Sequence, residues 1–154
     1  QIVVRNPYST RPYQHVLEPV MAYLTIGMRQ YQDRELAGNY NIGPDETDCV
    51  TTGQLVDIFC RLWNEKTSSI SGNAFPADWI DQYDGGPHES NFLKLDCSRM
   101  KAVFEWYPRW HIEDALDKTI EWTLEYMGQG QIDKIMEKQI KEYGEMKKGS
   151  VGKA

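Results

Sequence analysis

Apolar and polar positions along the first two thirds of the chain predict short strands and helices in alternation, and the last third is helical. Ile2-Val3-Val4 marks a strand over 1–5, and Asn6-Pro7-Tyr8-Ser9-Thr10 is rich in turn formers. Val16, Val20, Leu24 and Met28 then recur at helical spacing over 16–34. Pro19 falls in the first turn of that helix, where a missing N–H costs nothing. Gly38 breaks the pattern, and Asn39-Tyr40-Asn41-Ile42-Gly43 reads as a short buried strand before a Gly-Pro turn. Thr51-Thr52-Gly53-Gln54 is a capping box, opening a helix with Leu55, Ile58, Phe59, Leu62 and Trp63 on one face.

Residues 66–89, rich in Ser, Gly, Asp and Pro, predict a long loop, and such loops in compact domains are usually functional or mobile. A strand is predicted over 92–95. Asp96-Cys97-Ser98 then caps a short helix reaching Trp106, and Pro108 stops it. The strongest periodicity follows, in Ile112, Ala115, Leu116, Thr119, Ile120, Thr123 and Leu124. After Gly128-Gln129-Gly130 a last helix places Ile132, Ile135, Met136, Ile140 and Tyr143 on one side. Strand-loop-helix units that give way to helices predict the second half of an α/β domain, not a self-contained doubly wound sheet. Because the chain enters a strand directly from Gln1, it is expected to be a piece of a longer polypeptide.

Charge and cysteine content narrow the function classes. The 154 residues suit one globular domain, and a net charge of -6 with no basic arm argues against nonspecific nucleic-acid binding. An anionic ligand would have to be held by a few local groups, not by the overall field. Three widely spaced cysteines, Cys49, Cys60 and Cys97, are expected to be reduced and mostly buried in a cytoplasmic protein. No apolar run is long enough to cross a bilayer.

Two constellations carry candidate chemistry. The first is Arg11, Tyr13 and His15, on the turn from strand to helix, where a guanidinium fork can meet a phosphate. Its plain alternative is a surface arginine beside a packed aromatic. The second is Gly85-Gly86-Pro87-His88-Glu89, a loop presenting a carboxylate that could accept from the vicinal hydroxyls of a sugar; the plain alternative is a solvated pair. Other matches fail. Gly128-Gln129-Gly130 lies between helices and lacks a dinucleotide fingerprint's third glycine. Tyr143 and Lys147 match Tyr-x-x-x-Lys by chance among nine tyrosines, at what reads as a frayed, polar end. His15, His88 and His111 lack ligand spacing for a metal.

In order, several of these segments resemble the C-terminal half of the extended short-chain dehydrogenase/reductases that act on nucleotide sugars, and specifically the CDP-glucose 4,6-dehydratases. They are Arg5-Asn6-Pro7 with Thr10-Arg11-Pro12-Tyr13-Gln14-His15-Val16-Leu17-Glu18-Pro19, and Tyr40-Asn41-Ile42-Gly43-Pro44. Pro87-His88-Glu89 with Leu93-Lys94-Leu95-Asp96-Cys97-Ser98 follows, then Trp106, Pro108-Arg109-Trp110, Glu121-Trp122 and, in the tail, Gln139-Ile140 with Tyr143. The resemblance implies the helix-rich, substrate-binding portion of a Rossmann-type α/β fold. It would comprise a nucleotide-sugar-binding region over 1–128 and a C-terminal helix with a polar tail over 129–154. It further implies a parent enzyme that uses NAD to convert CDP-glucose to CDP-4-keto-6-deoxyglucose, a precursor in deoxysugar and polysaccharide biosynthesis. The NAD site and the catalytic Tyr-x-x-x-Lys pair would then lie in a missing N-terminal half, leaving this chain inactive alone, and the parent is expected to be a homo-oligomer.

By that resemblance Arg11 contacts the ligand diphosphate, Tyr13 lies near the ribose and phosphates, Asn41 lines the same cleft, and Glu89 binds ribose hydroxyls. Gly86 stands where many relatives have a second arginine, and whether His88 compensates is open. Glu105 stands where relatives usually have glycine, which reads as surface variation. Two rivals remain: a related epimerase or dehydratase using another nucleotide, and a non-catalytic binding or oligomerisation module.

Overall fold

A computed structural model describes residues 1–68, 76–83, 85 and 92–145. Strand β1 (Ile2–Val4) pairs in parallel with β4 (Trp79–Asp81), and β2 (Thr10–Arg11) pairs antiparallel with β3 (Val50–Thr51). Helices α1 (Leu17–Gln32), α2 (Thr52–Thr67), α3 (Ser98–Phe104), α4 (Ile112–Met127) and α5 (Ile132–Glu145) supply most of the described mass. The described chain is therefore helix-rich with few strands.

Helix α1 forms where its spacing predicts, but it turns a different face inward. Val16, Val20, Leu24 and Met28 are exposed, and the buried line is Glu18 and Ala22, continued by partly buried Ile26. Both rows obey the same i, i+4 rule, so periodicity alone does not choose between them. Ala22 decides it: its small side chain lets α1 approach Met100, Phe104 and Trp106, which with it form the core. Glu18, 0% exposed, joins that face because it has three donors to meet. Its Oε1 accepts from the backbone N–H groups of Arg109 (2.9 Å) and Trp110 (2.8 Å), and its Oε2 accepts from the Tyr143 hydroxyl (2.6 Å).

Tyr143 is thus far from frayed. It is 1% exposed, meets Trp110 edge-on at 5.1 Å and carries the Arg109 guanidinium over its ring. Arg109 Nη1 also donates to the Tyr143 carbonyl at 2.7 Å, so the last helix is fastened at its far end. On α5 the buried side chains are Gln139 and Tyr143, while Met136 and Ile140 of the expected apolar side are exposed. Gln139 goes inward because its amide donates to the Lys118 carbonyl (2.9 Å), tying α5 to α4.

The capping box at Thr51 and Gln54 forms as read, with both reciprocal bonds present. Two strand expectations fail. Residues 39–43 form no strand and are not buried throughout; side chains supply bonds in place of a ladder, Gln14 donating to the Ile42 carbonyl and Asn41 to that of Asp96. Residues 92–95 contribute only a bridge from Phe92 to Thr10. Conversely, β4 lies inside the segment read as loop, a three-residue strand too short to show a period.

Helix α3 ends at Phe104, before Trp106, because Glu105 adopts a left-handed conformation (φ 50°). Glu105 is exposed, as its reading as surface variation expects, but the position also demands positive φ, which glycine meets without strain.

Two stability predictions follow from these contacts. Glu18→Ala leaves two amides and a hydroxyl buried without an acceptor and should cost roughly 3–5 kcal/mol in urea unfolding, since each unmet buried group costs about 1–3 kcal/mol. A loss within about 0.5 kcal/mol, the scale of an ordinary surface substitution, would contradict it. Glu105→Gly should raise stability by roughly 0.5–1 kcal/mol, the left-handed cost relieved less the entropy that glycine loses, whereas the β-branched Glu105→Val should lower it.

Candidate functional site

Between β1, the loop that follows it and the first turn of α2 lies an open cavity of about 470 Å³. Arg11 and Tyr13 both line it, together with Arg5, Asn6, Ser9, Thr52 and the residues of β1. The loop is set by β-pairing, Arg11 opposite Val50 and Thr10 opposite Thr51, and by Pro12, whose ring restricts the turn to Tyr13. The Tyr13 amide closes back onto the Arg11 carbonyl at 3.1 Å.

Helix α2 then fastens the loop from the other side. The Thr52 amide donates to the Ser9 carbonyl (3.0 Å) and the Gly53 amide to the Pro7 carbonyl (2.8 Å). The Thr52 hydroxyl shares hydrogen bonds with the Tyr13 hydroxyl (2.9 Å) and the Ser9 hydroxyl (3.3 Å). Glycine eases the approach at 53, since a Cβ there would sit a tight 3.2 Å from the Pro7 carbonyl oxygen. With the Gln54 amide taken by the Thr51 side chain, the first donors of α2 are spent on the protein itself. An anion in this cavity must therefore be held by side chains. Arg11 is the cation of the predicted constellation, and its Nη1 donates to the Thr10 carbonyl at 2.9 Å, which steadies the fork.

The other predicted residues fall elsewhere. His15 lines a second, apolar cavity of about 370 Å³ with Val16, Trp122, Met136 and Ile140. Its Nδ1 accepts from the Leu17 amide (3.2 Å), which seats the start of α1, and its ring meets Trp110 edge-on at 4.7 Å. Asn41 is exposed and donates to the Asp96 carbonyl (3.0 Å), away from both cavities. His88 and Glu89, like Gly86, lie outside the described residues. Sequence reasoning missed Ser9 and Thr52, although the position of Thr52 just inside a capping box was a usable signal. It also missed Glu18, whose signal was a carboxylate amid the apolar residues that open a helix.

The three thiols and Tyr143 are shifted away from reactivity. Burial pushes the Cys97 thiol up, so its place before α3 does not activate it, and Cys49 and Cys60 are likewise raised by burial. Tyr143 is pushed far up by burial and by its bond to Glu18, the opposite of what an acid/base tyrosine needs. Among the described residues no three His, Cys, Asp or Glu side chains group as a metal site, and no helix is long and apolar enough to cross a membrane.

Two histidines are shifted in opposite directions. Asp48 accepts from the Ile112 amide (3.0 Å) and pairs with His111 Nδ1 (2.8 Å), and that hydrogen bond raises the His111 pKa. Burial, then Lys118, lowers that of His15. The His111 contribution is fully present below about pH 6.5, the unfolded value, and is lost as pH rises through the raised folded value. The His15 contribution is present above the unfolded value and is lost as pH falls through the lowered one. NMR titration should place the His111 midpoint above and the His15 midpoint below the ordinary histidine value. The stability deficit of His111→Gln should be largest in mild acid and shrink in alkali; a deficit independent of pH would contradict the pairing.

Comparison with known proteins agrees with the motif-based resemblance. No family model matches the chain. Over 123 residues, 79% of its length, it is 35% identical to the C-terminal part of the CDP-glucose 4,6-dehydratase of Salmonella typhimurium. The chain spans about a third of that relative's length (32%).

Proposed function

We propose that this chain is the substrate-gripping, C-terminal part of a sugar-nucleotide 4,6-dehydratase of the extended short-chain dehydrogenase/reductase type, acting on CDP-glucose. The observation that carries the reading is the 35% identity across most of the chain, with Arg11 and Tyr13 lining one cavity. In this reading the Arg11 guanidinium pairs with the diphosphate and Tyr13 presents its ring and hydroxyl to the adjoining ribose. Asn41, exposed and bonded to the Asp96 carbonyl, drops out of the grip, and Glu89 is left as the acceptor for the ribose hydroxyls. His15, in its separate cavity, holds the turn that carries Arg11 instead of touching substrate.

NAD finds no fit among the described residues. The turn after β1 is Asn6-Pro7-Tyr8, not a glycine-rich one, and the space over Gly53 at the start of α2 is taken by Pro7. In this reading the dinucleotide and the catalytic acid and base belong to a part of the enzyme beyond these residues. What this chain supplies is orientation: a nucleotide sugar fixed at its phosphates presents its hexose in one pose, which can account for several kcal/mol of a rate enhancement.

In the full-length enzyme, Arg11→Ala should weaken CDP-glucose binding by about 1.5–3 kcal/mol, the range for hydrogen bonds to a charged group. Calorimetric titration reads this directly, and an unchanged affinity removes Arg11 from the site. The 154-residue chain incubated with CDP-glucose and NAD should form no 4-keto sugar above the protein-free rate. Turnover by the chain alone would refute the division of labour.

A further inference from the structure

A second guanidinium stands at the same cavity. Arg5 directly follows Val4 at the carboxyl end of β1 and shares the lining with Arg11 and Tyr13. Ligands of parallel sheets lie beyond the carboxyl ends of the strands, and β1 and β4 are parallel, so Arg5 sits on the ligand side of that pair.

Its surroundings set it apart from the other arginines near carboxylates, carbonyls or rings. Arg61 is paired with Glu65 and Glu113, Arg99 lies over Tyr40, and Arg109 is bound to the Tyr143 carbonyl. Arg5 is exposed, and among the described residues no carboxylate, carbonyl or ring engages it, in a chain whose net charge is -6. Its five donors are thus open to a ligand. A diphosphate needs that supply. The amides at the start of α2 are already spent, and one arm of Arg11 is turned back to the Thr10 carbonyl.

Resting on the reading of this cavity as the phosphate grip, we infer that Arg5 is a second cation for the diphosphate, engaging phosphoryl oxygens that Arg11 leaves unpaired. Specificity for a nucleoside diphosphate over a monophosphate then comes from two guanidinium groups on successive segments of the chain.

Calorimetric titration of the full-length enzyme with CDP-glucose, comparing wild type, Arg5→Gln, Arg5→Lys and Arg11→Ala, tests this. Arg5→Gln should weaken binding by about tenfold, as expected for loss of a charge-assisted bond, and Arg5→Lys should recover part of the loss. The gap between wild type and Arg5→Gln should narrow as salt is raised. An Arg5→Gln affinity within about twofold of wild type, less than a single hydrogen bond is worth, or an Arg5→Lys variant no better than Arg5→Gln, overturns the inference. Arg11→Ala keeps the two claims apart: a loss there with none at Arg5 removes only Arg5, and no loss at either removes the cavity as the phosphate site.

Discussion

The buried carboxylate of Glu18 is the contact on which the helical part of the structure depends. A fully buried acid is costly unless its oxygens are met by donors, and here two backbone amides and a phenol meet them. Those three donors come from the segment before α4 and from the end of α5, so one side chain joins α1 to residues more than ninety positions away. Arg109 and Trp110 complete the arrangement around Tyr143. The start of α1 is thereby fixed, and with it the direction of the chain that leaves β2.

From that anchor the candidate site follows by short links. Trp110 meets His15, His15 Nδ1 takes the Leu17 amide, and four residues earlier stands Arg11. On the opposite side the first turn of α2 holds the same loop through Pro7, Ser9 and Tyr13. A loop secured at both ends spends little entropy when a ligand arrives, which is what the proposed binding role requires. The same fastening uses up the helix N-terminus, so an anion entering this cavity would meet cationic side chains and not free helix amides.

Much of this was legible in the amino-acid order, and the failures have identifiable causes. The capping box at Thr51, the helix at 112–127 and the approach of Arg11 and Tyr13 to one cavity follow from local patterns, which single residues state clearly. The inward face of α1 was misread because two rows of equal spacing compete and packing against Met100 and Phe104 decides between them. Glu18, Gln139 and Tyr143 are buried through partners far along the chain, which periodicity cannot reveal. β4 escaped because three residues show no period, and Glu105 because a backbone angle leaves no mark on a non-glycine side chain.

Hydrogen exchange of the full-length enzyme with and without CDP-glucose tests the central claim most directly, since it reports where the nucleotide sugar is gripped. The account predicts new protection over 5–13 and 50–56, the loop and the helix start that hold it. Protection confined to the second cavity, at 15–17 and 136–140, or no change at either place, would contradict it.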